Sequence, residues 1–432
     1  MKRYAWTELS QDQRQVALAR PMGLSDSSIA DSVRAIMAKV KTSGDAAVLE
    51  FTAKFDGVDL TDLRVETSAT KAAWDALPDD QKSAIDIAYA NIKKFHAAQK
   101  PEDIEVETTR GVYCRREARA IETAGLYVPG GTAPLVSTLL MLAVPAQVAG
   151  VQRRVVVTPP SKDGTINPAI LAAAYRCKVT DVFMCGGAQA IAALAYGTAS
   201  IPRCDKIFGP GNAYVATAKS LAAQEPGGPA IDMPAGPSEA MVVADDKSNP
   251  VFVASDLLSQ AEHDSLAQVI CVSTTQTGAE EIKAEVNAQL ATLPRKDIAA
   301  VAIQNSRMIV ANDRADIIDI INRYAPEHLI MQVKQPETYV AAIRNAGSIF
   351  LGPWTPESMG DYASGTNHTL PTYGAARAYS GVTLESFIKY ISVQRATKKG
   401  LQRLGPTVEK LAEMEGLEAH RRAISLRLEA EE

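Results

Sequence analysis

Histidine is scarce in this sequence, with 5 copies in 432 residues, so each one beside a reactive neighbour is a candidate for metal binding or proton transfer. Gln260 and His263 lie three apart at the end of a predicted helix that begins near Asn249 and Pro250. Side chains three apart share a helix face, so this pair can bind one metal ion. The alternative is a polar helix C terminus, where a histidine also suits the helix dipole.

A carboxylate and an imidazole stand side by side at Glu327 and His328, where a helical pattern gives way to a strand. Two adjacent groups with different pKa values can divide acid–base chemistry between them. Oxidation of an alcohol needs a base for the hydroxyl proton, and oxidation of an aldehyde also needs a water delivered to the carbonyl. The alternative is a solvated pair in a loop.

Two further candidates lie towards the C terminus. Asp361 follows a glycine in the segment 359–372, which is rich in Gly, Asn, Thr and Pro and is predicted to be a loop. Glu415 and His420 lie in the C-terminal segment, where a surface position is the alternative. The side chains that together offer a metal two nitrogens and two oxygens are Gln260, His263, Asp361 and His420. Zinc accepts such ligands, but spacing alone joins only the first two.

Three glycine-rich turns can meet the phosphates of a dinucleotide, at 125–131, 186–189 and 209–212. The turn at 186–189 follows a predicted strand and opens a helix, so its N–H groups can bind phosphate. The G-x-G-x-x-G fingerprint is incomplete, because Tyr214 stands at its third glycine. Glycines that allow close helix packing are an equal alternative.

Composition argues against nucleic-acid and membrane proteins. A chain of 432 residues, 46% hydrophobic and 22% charged, predicts two to four domains, and its net charge of −5 is unlike that of a nucleic-acid-binding protein. The uncharged stretch 125–152 is long enough to span a membrane, but its prolines and glycines favour a buried turn and a core helix. The N terminus lacks a signal peptide pattern, and five scattered cysteines predict reduced thiols in the cytoplasm.

Hydrophobic spacing predicts helices in the first hundred residues and alternating strands and helices after about residue 150. The predicted strands are 154–158, 179–185, 241–244, 268–273, 308–311, 329–333 and 348–351. Such alternation predicts parallel sheets covered by helices on both faces, and the number of strands favours two sheets. The last fifty residues are predicted to be helical.

Eight strings in the sequence are peculiar enough to carry a resemblance. They are GLYVPGGTAPL (125–135), CGGAQAIAALAYGT (185–198), DKIFGPGN (205–212), DMPAGPSE (232–239), LLSQAEHD (257–264), APEHL (325–329), GDYASGTNHTLPT (360–372) and EGLEAH (415–420). In this order they resemble those of the histidinol dehydrogenase family, and the similarity covers essentially the whole chain.

The resemblance implies a fold and a reaction. The fold is α/β, with two incomplete Rossmann-like domains, one inserted in the other, and small helical N- and C-terminal extensions. The first domain is expected at 25–126 plus 238–381, the second at 127–237, and the extensions at 1–24 and 382–432. The reaction is the NAD-dependent oxidation of L-histidinol through L-histidinal to L-histidine, the last steps of histidine biosynthesis, with one zinc per site.

The resemblance also implies the site residues and the assembly. The catalytic pair would be Glu327 and His328, and the NAD contacts Tyr127, Gln189 and Asn212. The substrate contacts would be Ser238, Gln260, His263, His328, Asp361, Glu415 and His420, and the zinc ligands Gln260, His263, Asp361 and His420. The assembly would be a homodimer with a swapped C-terminal segment, in which His420 of one subunit completes the site of the other.

Other functions stay open at this stage. A relative could oxidise a different alcohol, although Glu415 and His420 favour histidinol because the family uses them for its amine and imidazole. A thioester-forming aldehyde dehydrogenase would need an activated thiol, and Cys185 is the best candidate, with a buried core position as the alternative. A zinc hydrolase or a non-catalytic metal-binding protein would form no NADH. Manganese or cobalt could replace zinc on the same ligands.

Overall fold

The computed structural model describes residues 1–21, 27–130, 135–233 and 236–430. Its strands are β1 (Lys2–Ala5), β2 (Ile104–Thr109), β3 (Val112–Ala120), β4 (Thr123–Tyr127), β5 (Arg153–Thr158), β6 (Asp181–Met184), β7 (Lys206–Phe208), β8 (Ala230–Ile231), β9 (Glu239–Ala244), β10 (Gln268–Ser273), β11 (Arg307–Val310), β12 (His328–Gln332), β13 (Ser348–Leu351) and β14 (Ile388–Ala396). Its helices are α1 (Gln11–Ala17), α2 (Ser27–Ser43), α3 (Asp45–Asp56), α4 (Thr67–Ala76), α5 (Asp79–Ala97), α6 (Val136–Ala149), α7 (Pro168–Arg176), α8 (Gly187–Tyr196), α9 (Ala213–Gln224), α10 (Pro250–Ala261), α11 (Gln276–Leu290), α12 (Lys296–Gln304), α13 (Arg314–Tyr324), α14 (Glu337–Val340), α15 (Glu357–Tyr362), α16 (Lys398–Met414) and α17 (Glu418–Glu429).

The structure contains two parallel sheets whose strands follow the same order. This confirms the predicted α/β fold with two incomplete Rossmann-like domains. Among the described residues, one sheet has the order β6-β5-β4-β7-β8 and the other β1-β11-β10-β9-β12-β13. If β1 is set aside, both follow the order 3-2-1-4-5 along the chain, a Rossmann-like sheet without its last strand. The order reverses at a switch point between β4 and β7 in one sheet and between β9 and β12 in the other.

The N-terminal helices share their core with the five-stranded sheet. Helices α2 and α3 pack against α8, α4 against α7, and α5 against α6. The resemblance implied that residues 25–126 belong with the other sheet, whereas the helices within 27–97 pack against helices of the five-stranded sheet. Hydrophobic spacing identifies the buried face of a helix but not the sheet it covers. The division into domains itself stays a prediction.

Two terminal segments predicted to be helical also contain strands. Residues Ile388–Ala396 pair antiparallel with Val112–Ala120 in the small sheet β14-β3-β2, and Lys2–Ala5 pair parallel with Arg307–Val310 at an edge of the six-stranded sheet. Both strands are largely exposed, so neither carries the alternating apolar pattern that signals a strand. The helical prediction holds for α16 and α17.

The uncharged stretch 125–152 forms most of β4 and the buried helix α6, as its prolines and glycines predicted. Residues 131–134, which include part of the first glycine-rich turn, lie outside the described residues. Among the helices that the structure describes, none has the length and apolar character needed to cross a membrane.

Candidate active site

A buried cluster of carboxylates and one imidazole lies at the amino edge of the six-stranded sheet. Glu239 begins β9 and His328 begins β12, the two strands that flank the switch point. Glu327 lies directly before His328, between α13 and β12, so the predicted change from helix to strand is confirmed. Open α/β sheets usually bind ligands at the carboxyl edge, so this cluster occupies the less common side.

The main chain of Glu239 holds both predicted catalytic side chains. Its N–H donates to Glu327 Oε2 at 2.8 Å, and its carbonyl lies 3.2 Å from His328 Nδ1. Because a carbonyl oxygen only accepts, Nδ1 carries the hydrogen of this bond, and Nε2 of a neutral His328 is free to accept a proton. The structure thus leaves the basic nitrogen on the side of the ring that faces Asp361 Oδ1.

The side chain of Glu239 is itself held by the N-terminal segment. Its carboxylate is paired with the Arg20 guanidinium, with Nη2 at 2.9 Å from Oε2, and accepts the Tyr373 N–H at 3.0 Å. Arg20 also donates to the Tyr324 carbonyl at 2.7 Å. Sequence reasoning missed both charged residues, because a single glutamate at the start of a buried strand gives no periodic signal.

Helix α15 brings Asp361 and Glu357 to His328. Asp361 Oδ1 lies 3.3 Å from His328 Nε2. A Cβ on Gly360 would stand 2.6 Å from the ring of Phe350, so glycine allows α15 to pack against this ring, which lies beside His328. The loop prediction for 359–372 is wrong for its first four residues, because this glycine serves close packing rather than a turn.

The cluster holds more buried carboxyl groups than its own contacts can stabilise in the charged form. Burial raises the pKa of Glu327 to about 8, although His328 and the Glu239 N–H offset part of the effect. Burial also raises the pKa of Glu357 well above its usual range. Burial alone would lower the pKa of His328, but Glu357, Glu327 and Asp361 together raise it well above its ordinary value. Such a site favours a cation, either a metal ion or a positively charged substrate.

Gln260 and His263 approach the cluster from α10, which packs against α15. Asn249 caps α10 and Pro250 is its first residue, which confirms the predicted helix start. Gln260 is buried, and its Oε1 has no hydrogen-bond partner among the described residues. His263 lies just beyond the helix, exposed, and interacts electrostatically with Asp361. Ser238 lies directly before β9 at the same edge.

One group within the described part of the chain has the geometry to hold a metal ion. Ligand atoms of His328, Glu357 and Asp361 all lie within 4.8 Å of one another. Both oxygens of Glu357 and Oδ1 of Asp361 are buried and, among described residues, lack hydrogen bonds. Only Asp361 of this group was a predicted ligand. Glu357 was missed, although its position four residues before Asp361 on one helix was the available signal.

The structure does not bring Glu415 and His420 to this cluster within one chain. Glu415 caps the end of α16, and His420 lies in α17, which packs against α16. Both side chains are exposed. Their predicted contact with the substrate therefore depends on a second copy of the chain and stays a proposal.

The three side chains predicted to contact NAD line one cavity of about 1180 Å³. Tyr127 ends β4, Gln189 lies in the first turn of α8, and Asn212 caps α9 by accepting two backbone N–H groups. The cavity thus opens at the carboxyl edge of the five-stranded sheet, at its switch point. Its volume exceeds the roughly 300–1,000 Å³ of ordinary small-molecule pockets, so it can admit a dinucleotide.

The segment after α15 connects the half of the molecule that contains the cavity to the buried carboxylate cluster. His368 Nδ1 lies 2.9 Å from the Asp361 carbonyl, and its Nε2 lies 3.3 Å from Thr138 Oγ1 in α6. The Asn367 side-chain amide donates to the Met141 carbonyl in the same helix at 2.6 Å. Helix α6 follows β4, the strand that ends at Tyr127, so the two sites are held in a fixed relation.

Comparison with known proteins identifies the family. The sequence model of histidinol dehydrogenase matches residues 20–428. The chain is 49% identical to the histidinol dehydrogenase of Colwellia psychrerythraea, with 98% of each chain covered, and 50% identical to the chloroplastic enzyme of Arabidopsis thaliana, with 99% of this chain and 91% of the relative covered. The chain belongs to the histidinol dehydrogenase family. A crystal structure of histidinol dehydrogenase from Elizabethkingia anophelis superimposes with a TM-score of 0.95 at 48% identity, over 99% of this chain and 98% of that one.

Histidinol dehydrogenases are oxidoreductases, and a thioester-forming aldehyde dehydrogenase was the alternative that required a reactive Cys185. Cys185 is fully buried, and burial raises the pKa of its thiol further above the ordinary value. A reactive cysteine instead needs a lowered pKa and access to substrate. The structure therefore supports the core position for Cys185.

We expect Cys185→Ala to keep at least half of the wild-type kcat, because the thiol takes no part in the reaction. A modest loss of stability is expected from the small cavity that the substitution leaves. The measurement is kcat beside melting temperature for the wild type and the variant. A thousandfold loss of kcat in a folded variant would restore the thioester mechanism.

Proposed function

We propose that this chain oxidises L-histidinol through L-histidinal to L-histidine with two NAD⁺ and a divalent metal ion, zinc by resemblance. The observation that carries the proposal is the pairing of two sites in a member of this family. One is a cavity large enough for a dinucleotide, and the other is a buried cluster with a basic imidazole nitrogen beside carboxylates.

His328 is proposed to act as the base in both oxidation steps. Its Nδ1 is held by the Glu239 carbonyl, so Nε2 accepts the hydroxyl proton while the carbon loses a hydride to the nicotinamide. The raised pKa of His328 favours proton uptake. A cation bound among the carboxylates would offset their effect and return the imidazole towards its neutral form.

Glu327 is proposed to activate water for the aldehyde step. The Glu239 N–H holds Oε2, which leaves the other oxygen to accept a proton from a water molecule as its oxygen adds to the carbonyl carbon. The resulting hydrate anion loses a hydride to give the carboxylic acid, which then releases a proton to become the carboxylate. A pKa of about 8 is close to the operating range of a general base.

The donors at the cluster fit a divalent ion with N and O ligands. Asp361 from α15, with Gln260 and His263 from α10, would hold it, and His420 from a second copy would complete the set. When bound, the metal supplies positive charge that orients the imidazole and amine of the substrate. Such orientation can contribute roughly 7–11 kcal/mol to lowering a reaction barrier. We also propose a homodimer, because His420 does not reach the cluster within one chain and must come from a second copy.

The function is tested by NADH absorbance after L-histidinol is added to purified protein with zinc and NAD. We expect two NADH for each histidinol consumed and L-histidine as the product. Simple alcohols without the imidazole and amine should give at least a hundredfold lower kcat/KM. Turnover of another alcohol in preference to histidinol would contradict the proposal.

Glu327→Gln is expected to impair aldehyde oxidation by about 10²-fold or more and alcohol oxidation far less, because only the second half-reaction needs activated water. Each half-reaction is measured separately, with histidinal or histidinol as substrate. Glu337→Gln, an exposed substitution of the same kind, is the control. Equal losses in both half-reactions would refute the division of labour between Glu327 and His328.

Elemental analysis of dialysed variants can separate the two possible ligand sets. We expect His420→Asn to lose most of the bound metal and Glu357→Gln to retain it. Glu418→Gln, an exposed change in the same helix as His420, should leave the metal content unchanged. The opposite result, with metal lost only from Glu357→Gln, would place the ion in the group formed by His328, Glu357 and Asp361 within one chain.

A further inference from the structure

The cofactor cavity lacks an acidic residue where Rossmann-like sheets usually have one. In NAD-binding sheets, a carboxylate near the end of the second strand accepts hydrogen bonds from the adenosine ribose. Here the second strand is β5, which ends at Thr158 and continues as Pro159, Pro160, Ser161 and Lys162. The next residue, Asp163, is exposed, does not line the cavity and accepts hydrogen bonds from the N–H and Oγ1 of Thr165. An acceptor for the ribose hydroxyls must therefore come from another segment.

Asp56 is the only acidic side chain among the described residues that line the cavity. It interacts electrostatically with Tyr127 at the end of β4 and with Cys185 just beyond β6. These two strands flank β5 in the sheet. Helix α3, which packs against α8, thus brings a carboxylate to the region above β5, where the sheet itself supplies none.

The position of Asp56 is unfavourable for the free protein. Its Oδ2 is buried and has no hydrogen-bond partner among the described residues, and none of their side chains forms an ion pair with it. Burial raises the pKa of its carboxyl group. It is also the last residue of α3, where the helix dipole disfavours an anion. A group kept in such a position is better explained by a ligand than by stability.

We infer that Asp56 binds the hydroxyls of the adenosine ribose and selects NAD over NADP. A ribose presents two neighbouring O–H donors, and a carboxylate presents two acceptors. A 2′-phosphate would remove one donor and place negative charge against the carboxylate. The inference rests on the proposed function, because it assigns a residue to the cofactor of that reaction.

Lysines in the same cavity provide the competing explanation. Lys39, Lys54 and Lys162 also line it, and Lys39 is paired with Glu50. Their charges suit the phosphates of either cofactor. If they bound a 2′-phosphate, the wild type would use NADP as well as NAD, so the cofactor preference decides between the two explanations.

The test compares Asp56→Asn and Asp56→Ala with the wild type in steady-state kinetics with NAD and NADP. We expect the KM for NAD to rise about 10-fold or more, with kcat within twofold and the KM for histidinol unchanged. The ratio of kcat/KM for NADP to that for NAD should rise by a similar factor. Asp59→Asn removes the same charge from an exposed position three residues away and should change none of these values.

Melting temperatures and binding measurements separate the remaining outcomes. Without cofactor, Asp56→Asn should melt at the same temperature as the wild type or higher, since it removes an unpaired buried carboxylate. An unchanged KM and cofactor ratio, or a lower melting temperature with a parallel loss of kcat, would overturn the inference. A wild type that binds NADH by fluorescence but does not oxidise histidinol would overturn the proposed function, and weaker NADH binding by Asp56→Asn would still support the role of Asp56.

Discussion

The ion pair between Arg20 and Glu239 is the contact on which the buried carboxylate cluster depends. Glu239 supplies the two main-chain groups that hold Glu327 and His328, and Arg20 fixes its carboxylate from a segment more than two hundred residues away. A buried ion pair contributes little net stability, but the loss of one partner leaves a costly charge. Without Arg20, the buried carboxylate of Glu239 would lose its charged partner beside Glu327, Glu357 and Asp361.

The two sheets share a strand order but use opposite edges. The cofactor cavity lies at the carboxyl edge of the five-stranded sheet, where diverging connections leave a crevice beside β4 and β7. The carboxylate cluster lies at the amino edge of the six-stranded sheet. The hydrogen bonds that His368 and Asn367 form with α6 join the two edges. These hydrogen bonds fix the position of the cavity relative to the carboxylate cluster.

The sequence predicted seven of the nine strands between residues 153 and 351, β5, β6 and β9 to β13, because most of their residues are buried and appear as apolar runs. It missed β7 and β8, which have only three and two residues. Exposed edge strands such as β1 and β14 lack that pattern and were missed. The pair Glu327 and His328 was visible as chemistry, but nothing local indicated that Glu239 holds it, since that contact joins residues 88 and 89 positions apart. Resemblance supplied Tyr127, Gln189 and Asn212, and the fold brings them to one cavity.

Glu415 and His420 lie on exposed C-terminal helices, and this exposure explains why one chain does not bring them to the cluster. Around Glu415 and His420, the apolar side chains of Leu411, Met414 and Leu417 are 54%, 76% and 42% exposed. Exposed apolar side chains that lie together on one helical hairpin are typical of a surface that contacts another protein chain. Contact with a second copy would bury them and bring an imidazole to a cluster that has excess negative charge. The unsatisfied carboxylates and the exposed histidine would then be two halves of the site that we propose.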